Sequence, residues 1–295
     1  MTIDEGPTTA AAATMASMFL DRVEMSGDKE AFRQAANAYK DALDTAEIDG
    51  APLDRAALAY HLARVRQHLG ERTRDAGLLA QAAEGLRVAA ATFTQTDFPI
   101  DWAGIQLHLG AVLYRLDSLK GDPEIIKAAV AAYQQALLVF TRLAHPLKWS
   151  DAKNGLAQAL QMWGDVARNI ELLQRAALCC QEALQVRTRE ETPLLWAASQ
   201  NNLGSALYQL GRLSEDSEFL EGAAEAFGKA LEIYQGYGMA RMSHITERNL
   251  AKAEDMLRAR MARRVARVYW EEGEDEDELP SPPQSIILRA DVRDR

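Results

Sequence analysis

Five polar residues, Asp28, Asp75, Asp122, Asn169 and Asp216, each stand four positions ahead of an apolar one: Phe32, Leu79, Ile126, Leu173 and Leu220. Each start leads to an alanine (Ala35, Ala82, Ala129, Ala176, Ala223), then a bulky slot (Tyr39, Leu86, Tyr133, Cys180, Phe227), then a second alanine (Ala42, Ala89, Ala136, Ala183, Ala230). Steps of three and four residues place such positions on one buried stripe of a helix. An Asp or Asn ahead of the stripe is the residue type that accepts hydrogen bonds from the free amides of a helix start. The pattern predicts "B" helices over about 28–46, 75–94, 122–143, 169–189 and 216–236. A second periodic set stands behind Pro52, Pro99, Pro146 and Pro193, where proline ends one helix and opens the next. It predicts "A" helices over about 54–69, 101–116, 148–163, 195–210 and from 242 onward, with one more over 8–26. No strand pattern precedes residue 284.

Every one of these columns repeats at 47 residues, and so do Trp102, Trp149 and Trp196. Agreement at several independent slots over five copies is the mark of stacked helix pairs. The expected fold is all-α: a right-handed α-solenoid of antiparallel helix pairs, about five pairs plus a long C-terminal capping helix. Alanines on the stripe allow close helix approach, and the bulky slot fills the space between them. Gly70, Gly164 and Gly211 are expected to act as helix C-caps.

Asn202-Leu203-Gly204, Tyr208 and Gly211, followed by Ala223, Phe227 and Ala230, resemble the tetratricopeptide repeat. The run LGERTRDAGLLAQAAEGLRVAA (69–90) is similar to its long-period bacterial form, and the resemblance covers about residues 8–257. The period departs from the family's usual length of about 34 residues because both connections are longer. Arg55 and Ser243 replace the tryptophan in the first and last copies, as expected of capping repeats that face water. The resemblance implies a concave face lined by A-helix residues. These are Tyr60, Arg64, Gln67 and His68; Leu107, Tyr114 and Arg115; Asn154, Gln158 and Gln161; Asn201, Ser205, Tyr208 and Gln209; and Arg248 and Lys252. Such a surface suits a peptide groove whose cations and amides hold acidic groups or backbone. The other reading of the same residues is the ordinary solvated face of a helix.

Charge narrows the partners. With 33 Lys+Arg against 43 Asp+Glu the formal net charge is −10, which repels phosphate backbones and argues against nucleic acid. Hydrophobic residues make up 48% of the chain, enough for a sizeable core. Cys179 and Cys180 are adjacent and cannot form a disulfide framework. Asp4 and Glu5 stand where a signal peptide would be basic, and no apolar run approaches about 18 residues. A cytoplasmic protein without stable membrane insertion is the expectation.

Chemistry has few candidates. His61 and His108 share a slot with Gly155, Asn202 and Asn249. A zinc site needs three or four converging ligands, so a polar position bonding neighbouring helices is the favoured reading. The two cysteines lie on the packing stripe. Phosphate-binding loops, nucleophile elbows and metalloprotease histidine pairs are absent from the sequence. Catalytic, cofactor-binding and metal-binding residues are therefore none, and no enzyme activity is expected.

Three regions follow: a repeat domain (1–257), a basic extension of the last helix (258–270) and an acidic, proline-containing tail (271–295). The extension carries Arg258, Arg260, Arg263, Arg264 and Arg267. EEGEDEDE (271–278) holds seven carboxylates, LPSPP follows, and Ile286, Leu288, Ala290 and Val292 alternate as in a short docking strand. The tail is expected to fold back on the C-terminal end of the solenoid or to serve as a handle for a basic partner. The function implied is a non-enzymatic adaptor or scaffold that binds a protein or peptide segment on its concave face. The alternative is a regulatory or sensor subunit controlled by its own acidic tail.

Overall fold

A computed structural model describes residues 29–49 and 51–271. Among them all regular structure is helical. The helices are α1 (Lys29–Asp49), α2 (Pro52–Thr73), α3 (Ala76–Thr92), α4 (Pro99–Lys120), α5 (Pro123–Ala136), α6 (Pro146–Val166), α7 (Ile170–Leu184), α8 (Pro193–Ser214), α9 (Ser217–Gly236) and α10 (Ala240–Glu271). Each packs against the next, and every A helix from α2 to α8 also touches the A helix of the following repeat. The B helices α1, α3, α5, α7 and α9 do not touch one another. A ribbon whose A helices converge while its B helices splay is bent toward the A side. The A helices therefore line the concave face of an all-α solenoid, as the 47-residue columns require.

Local chemistry sets the boundaries. Asp75 accepts from the Gly77 and Leu78 amides, Asp122 from Glu124, Asn169 from Leu172 and Asp216 from Glu218, so the polar column does cap the B helices. Pro52, Pro99, Pro146 and Pro193 open the A helices, where their missing N–H removes nothing from the ladder. Ahead of three of them a threonine column shapes the turn: Thr94, Thr141 and Thr188 accept on Oγ1 from the amides of Asp97, Ala144 and Glu191. The same turns end α5 and α7 at Ala136 and Leu184, earlier than the expected 143 and 189. The A helices are correspondingly longer at both ends than the periodic stripe indicates.

The glycine column corrects the sequence reading. Gly70, Gly164 and Gly211 are buried inside α2, α6 and α8 and are not C-caps. A Cβ on them would stand 3.0, 3.0 and 2.7 Å from Leu79, Leu173 and Leu220, the first core leucine of each B helix. They are glycines because the A helix passes that close. The left-handed turn comes four residues later, at Arg74 (φ 56°), Gly121 (65°), Arg168 (49°) and Glu215 (60°), a 47-residue column that is mostly not glycine.

The alanines Ala129, Ala176 and Ala223 are fully buried, as are Leu86, Cys180 and Phe227 of the bulky slot. The expected helix at 8–26, the acidic run beyond Glu271 and the alternating segment at 286–292 lie outside the described residues. Helix α10 runs unbroken through 258–270, so the basic extension continues the last A helix.

Candidate groove on the concave face

Three A helices and one B side chain build a cavity of about 270 Å³ on the concave face. Gln161 comes from α6, Ser205, Tyr208 and Gln209 from α8, and Asn249 and Lys252 from α10, with Phe227 beneath. The floor follows from the repeat. Gly204 leaves room for the Phe227 ring, whose atoms would lie 2.8 Å from an added Cβ. The walls carry amides, hydroxyls and one ammonium. The Gln209 Oε1 atom is buried and has no hydrogen-bond partner among the described residues. Five residues expected on the inner face thus meet at one place: Gln161, Ser205, Tyr208, Gln209 and Lys252.

Others are committed to their neighbours. Asn154 Oδ1 accepts from Ser199 Oγ (3.1 Å) and Asn202 Nδ2 (3.0 Å), and Gln158 donates to Asn202 (3.4 Å). Thr246 Oγ1 donates to Asn201 Oδ1 at 3.1 Å. These bonds stitch α6 to α8 and α8 to α10. At the other end Gln67 donates to Glu71 (3.1 Å), and Arg115 approaches the same carboxylate at 3.9 Å while its guanidinium lies 5.5 Å from the Tyr114 ring centre. Tyr60 and Arg64 are half-buried on α2, and Arg248 is exposed on α10.

The histidine slot is a packing position at its first two copies. His61 stacks on Tyr39 with ring centres 5.6 Å apart, and Tyr60 meets His61 and His108 edge-on at 5.3 and 5.7 Å. Burial, helped by the Arg64 charge, pushes the His108 pKa down to about 3, and the His61 value is lowered for the same reasons. Both imidazoles are neutral at pH 7. Among the described residues no three His, Cys, Asp or Glu side chains converge as a metal set would. Cys179 and Cys180 are buried, and burial raises both thiols, Cys179 to about 11, which leaves them as unreactive thiols.

One buried charge had a visible but unread signal. Arg187 is 3% exposed and bonds Ser150 Oγ (3.2 Å), Ser199 Oγ (2.9 Å) and Asp151 Oδ1 (2.6 Å). Its column reads Phe93, Phe140, Arg187, Tyr234. One repeat earlier, Phe140 packs with Ala103 and Ala152, the positions equivalent to Ser150 and Ser199. The chain has exchanged an apolar plug and two alanines for an arginine and two serines at once.

The basic extension is partly spent. Arg258 pairs with Asp255 (2.7 Å) and Glu254 (3.6 Å), and Arg260 donates to the carbonyls of Asp216 (2.9 Å) and Gly211. A cavity of about 980 Å³ beside it is lined by Arg212, Arg260, Arg263, Arg264 and Arg267, and by Glu215, Asp216, Glu218 and Glu221. Opposite charges there nearly balance.

These features define an all-α, tetratricopeptide-like helical-repeat protein whose A helices form a polar concave wall. Solved structures that align with it include the following two. MamA protein is 19% identical with a TM-score of 0.44, over 77% of this chain and 94% of its own. BtubC (BKLC) from P. vanneervenii is 18% identical with a TM-score of 0.44, over 94% of this chain and 88% of its own. No family model and no curated protein matches the sequence. No helix among the described residues is long and apolar enough to cross a membrane.

Proposed function

We propose that this protein is a non-enzymatic adaptor that holds a segment of a partner protein in its concave groove. The observation that carries the reading is the cavity between α6, α8 and α10, lined by Ser205, Tyr208, Gln209, Asn249 and Lys252, with the buried Gln209 oxygen lacking a donor among the described residues. A buried acceptor without a partner costs about 1–3 kcal/mol, and a backbone N–H of an inserted peptide relieves that cost. Amides and hydroxyls at both sides suit main-chain recognition, and Lys252 adds a carboxylate contact. Binding, not bond-making, is the chemistry these groups support. No Asp, Glu or His lines this cavity to activate Ser205, Tyr208 or Lys252 for acid–base work.

Affinity capture of the full chain, with bound proteins identified by mass spectrometry, tests it. A partner retained by the native chain should be retained at least about tenfold less by Tyr208→Ala and Lys252→Glu, and equally by Leu178→Ala on the exposed side of α7. Equal retention by all three variants contradicts the groove.

A further inference from the structure

The largest imbalance of charge among the cavities lies elsewhere, in a space of about 620 Å³ where the two ends of the solenoid approach one another. Lys29 from the start of α1, Arg72 and Arg74 from the end of α2, Arg115 from α4 and Arg241 from the first turn of α10 all line it, with Glu71 as the one carboxylate among the described residues. In a chain of net charge −10, five cations around one cavity set a local field opposite to that of the whole. Four are arginines, whose planar forks suit carboxylates. Arg74 is held there in a left-handed conformation (φ 56°) that glycine takes in the next repeat at Gly121.

The complementary charge is in the same sequence: seven carboxylates in residues 271–278. Those belonging to the same molecule fall short of Arg241. From Arg241 to Glu271 the helix extends about 45 Å at about 1.5 Å per residue. Residues 272–278, even fully extended, return about 25 Å at most. A second molecule has no such limit. The basic groups nearest the run on its own helix, Arg263, Arg264 and Arg267, share their cavity with four carboxylates and offer a weaker field.

We propose that the acidic run 271–278 of one molecule docks into the Lys29–Arg72–Arg74–Arg115–Arg241 cavity of a second copy of this chain. Run and cavity are different surfaces, so the contact is head-to-tail: it builds open chains of molecules, or rings where the rotation closes. It is electrostatic and therefore weakens with salt. The proposal is independent of the peptide groove between α6 and α8, which shares none of the five cations.

Sedimentation velocity on two full-length variants provides the test. One carries Arg74→Gly and Arg241→Ala; glycine keeps the left-handed turn, and both arginines are exposed, so thermal melts should match the native chain. The other replaces Glu272, Glu274, Asp275, Glu276, Asp277 and Glu278 with Gln or Asn. The native chain should form dimers and longer species in about 25 mM salt and revert to monomer near 500 mM. Each variant alone should associate at least about tenfold more weakly. Their mixture should recover dimers and stop there, because only one intact run–cavity pair remains. A native chain that is monomeric at about 100 µM in low salt overturns the proposal. So does association that survives either variant, and so does a mixture that stays monomeric.

Discussion

At the scale of single residues the repeat works by matched size. The ring of Tyr133 occupies space bounded by Gly110 and Gly155, where an added Cβ would stand 2.9 and 2.4 Å from it. Tyr133 is buried and its ring has nowhere to go. Gly155→Ala should therefore destabilise the protein by about 1–3 kcal/mol in spite of alanine's better helix propensity. Adding Tyr133→Leu, the residue type of the equivalent Leu86, should recover most of the loss; a melt showing no recovery would contradict the contact. The bulky column was legible in the sequence, but its partner was not. Gly155 follows Tyr133 by 22 residues on the next helix, and nothing in a single stripe pairs the two columns. The histidine slot makes a second residue-scale prediction. With the His108 pKa near 3 when folded and about 6.5 when unfolded, the unfolded chain binds more protons between those values. This contribution to stability is complete above about pH 6.5 and declines as the pH falls toward 3. His108→Asn, the residue type at Asn202, should lose less melting temperature between pH 7 and pH 5 than the native chain. Parallel losses would place the imidazole in water.

At the scale of helices, stacking depends on stripes that tolerate little change. Ala176 on α7 is fully buried, so Ala176→Leu should overpack the stripe and cost about 1–3 kcal/mol, read as a lower thermal midpoint. Arg187 offers a sharper test. Arg187→Met leaves Ser150, Ser199 and Asp151 without their donor and should cost about 3–5 kcal/mol. The triple change Arg187→Phe, Ser150→Ala, Ser199→Ala copies the Phe140–Ala103–Ala152 plug of the preceding repeat and should return near native stability. Asp151 stays hydrated there, since its side chain is 38% exposed. A triple variant no more stable than the single one would deny that the plugs are interchangeable. Helix order and N-terminal caps among the described residues were readable because each rests on local chemistry: a side-chain acceptor, a missing N–H, a period near 3.6. The glycine role was misread for a definite reason. A glycine near a helix end satisfies both a left-handed cap and a close approach, and only the position of Leu79, Leu173 and Leu220 against Gly70, Gly164 and Gly211 separates them.

Across the whole molecule, contact between successive A helices and its absence between B helices bends the ribbon and makes the A face concave. The sequence pointed to candidate residues of that face through the register of one repeat, and Gln161, Tyr208 and Lys252 line one cavity there. It could not show which were already spent. Asn154 and Asn201 look like groove amides in the register, yet their oxygens accept from α8 and α10 and hold the curvature. A groove that is polar, curved and part-unsatisfied is the central claim, and site-specific photo-crosslinking tests it most directly. A photoreactive residue placed at Tyr208 or at Gln161 should yield the same cross-linked partner protein, and one placed at the exposed Leu178 of α7 should yield none. Cross-links to that partner from Leu178, with none from Tyr208 or Gln161, would put the binding surface on the B helices and contradict the account.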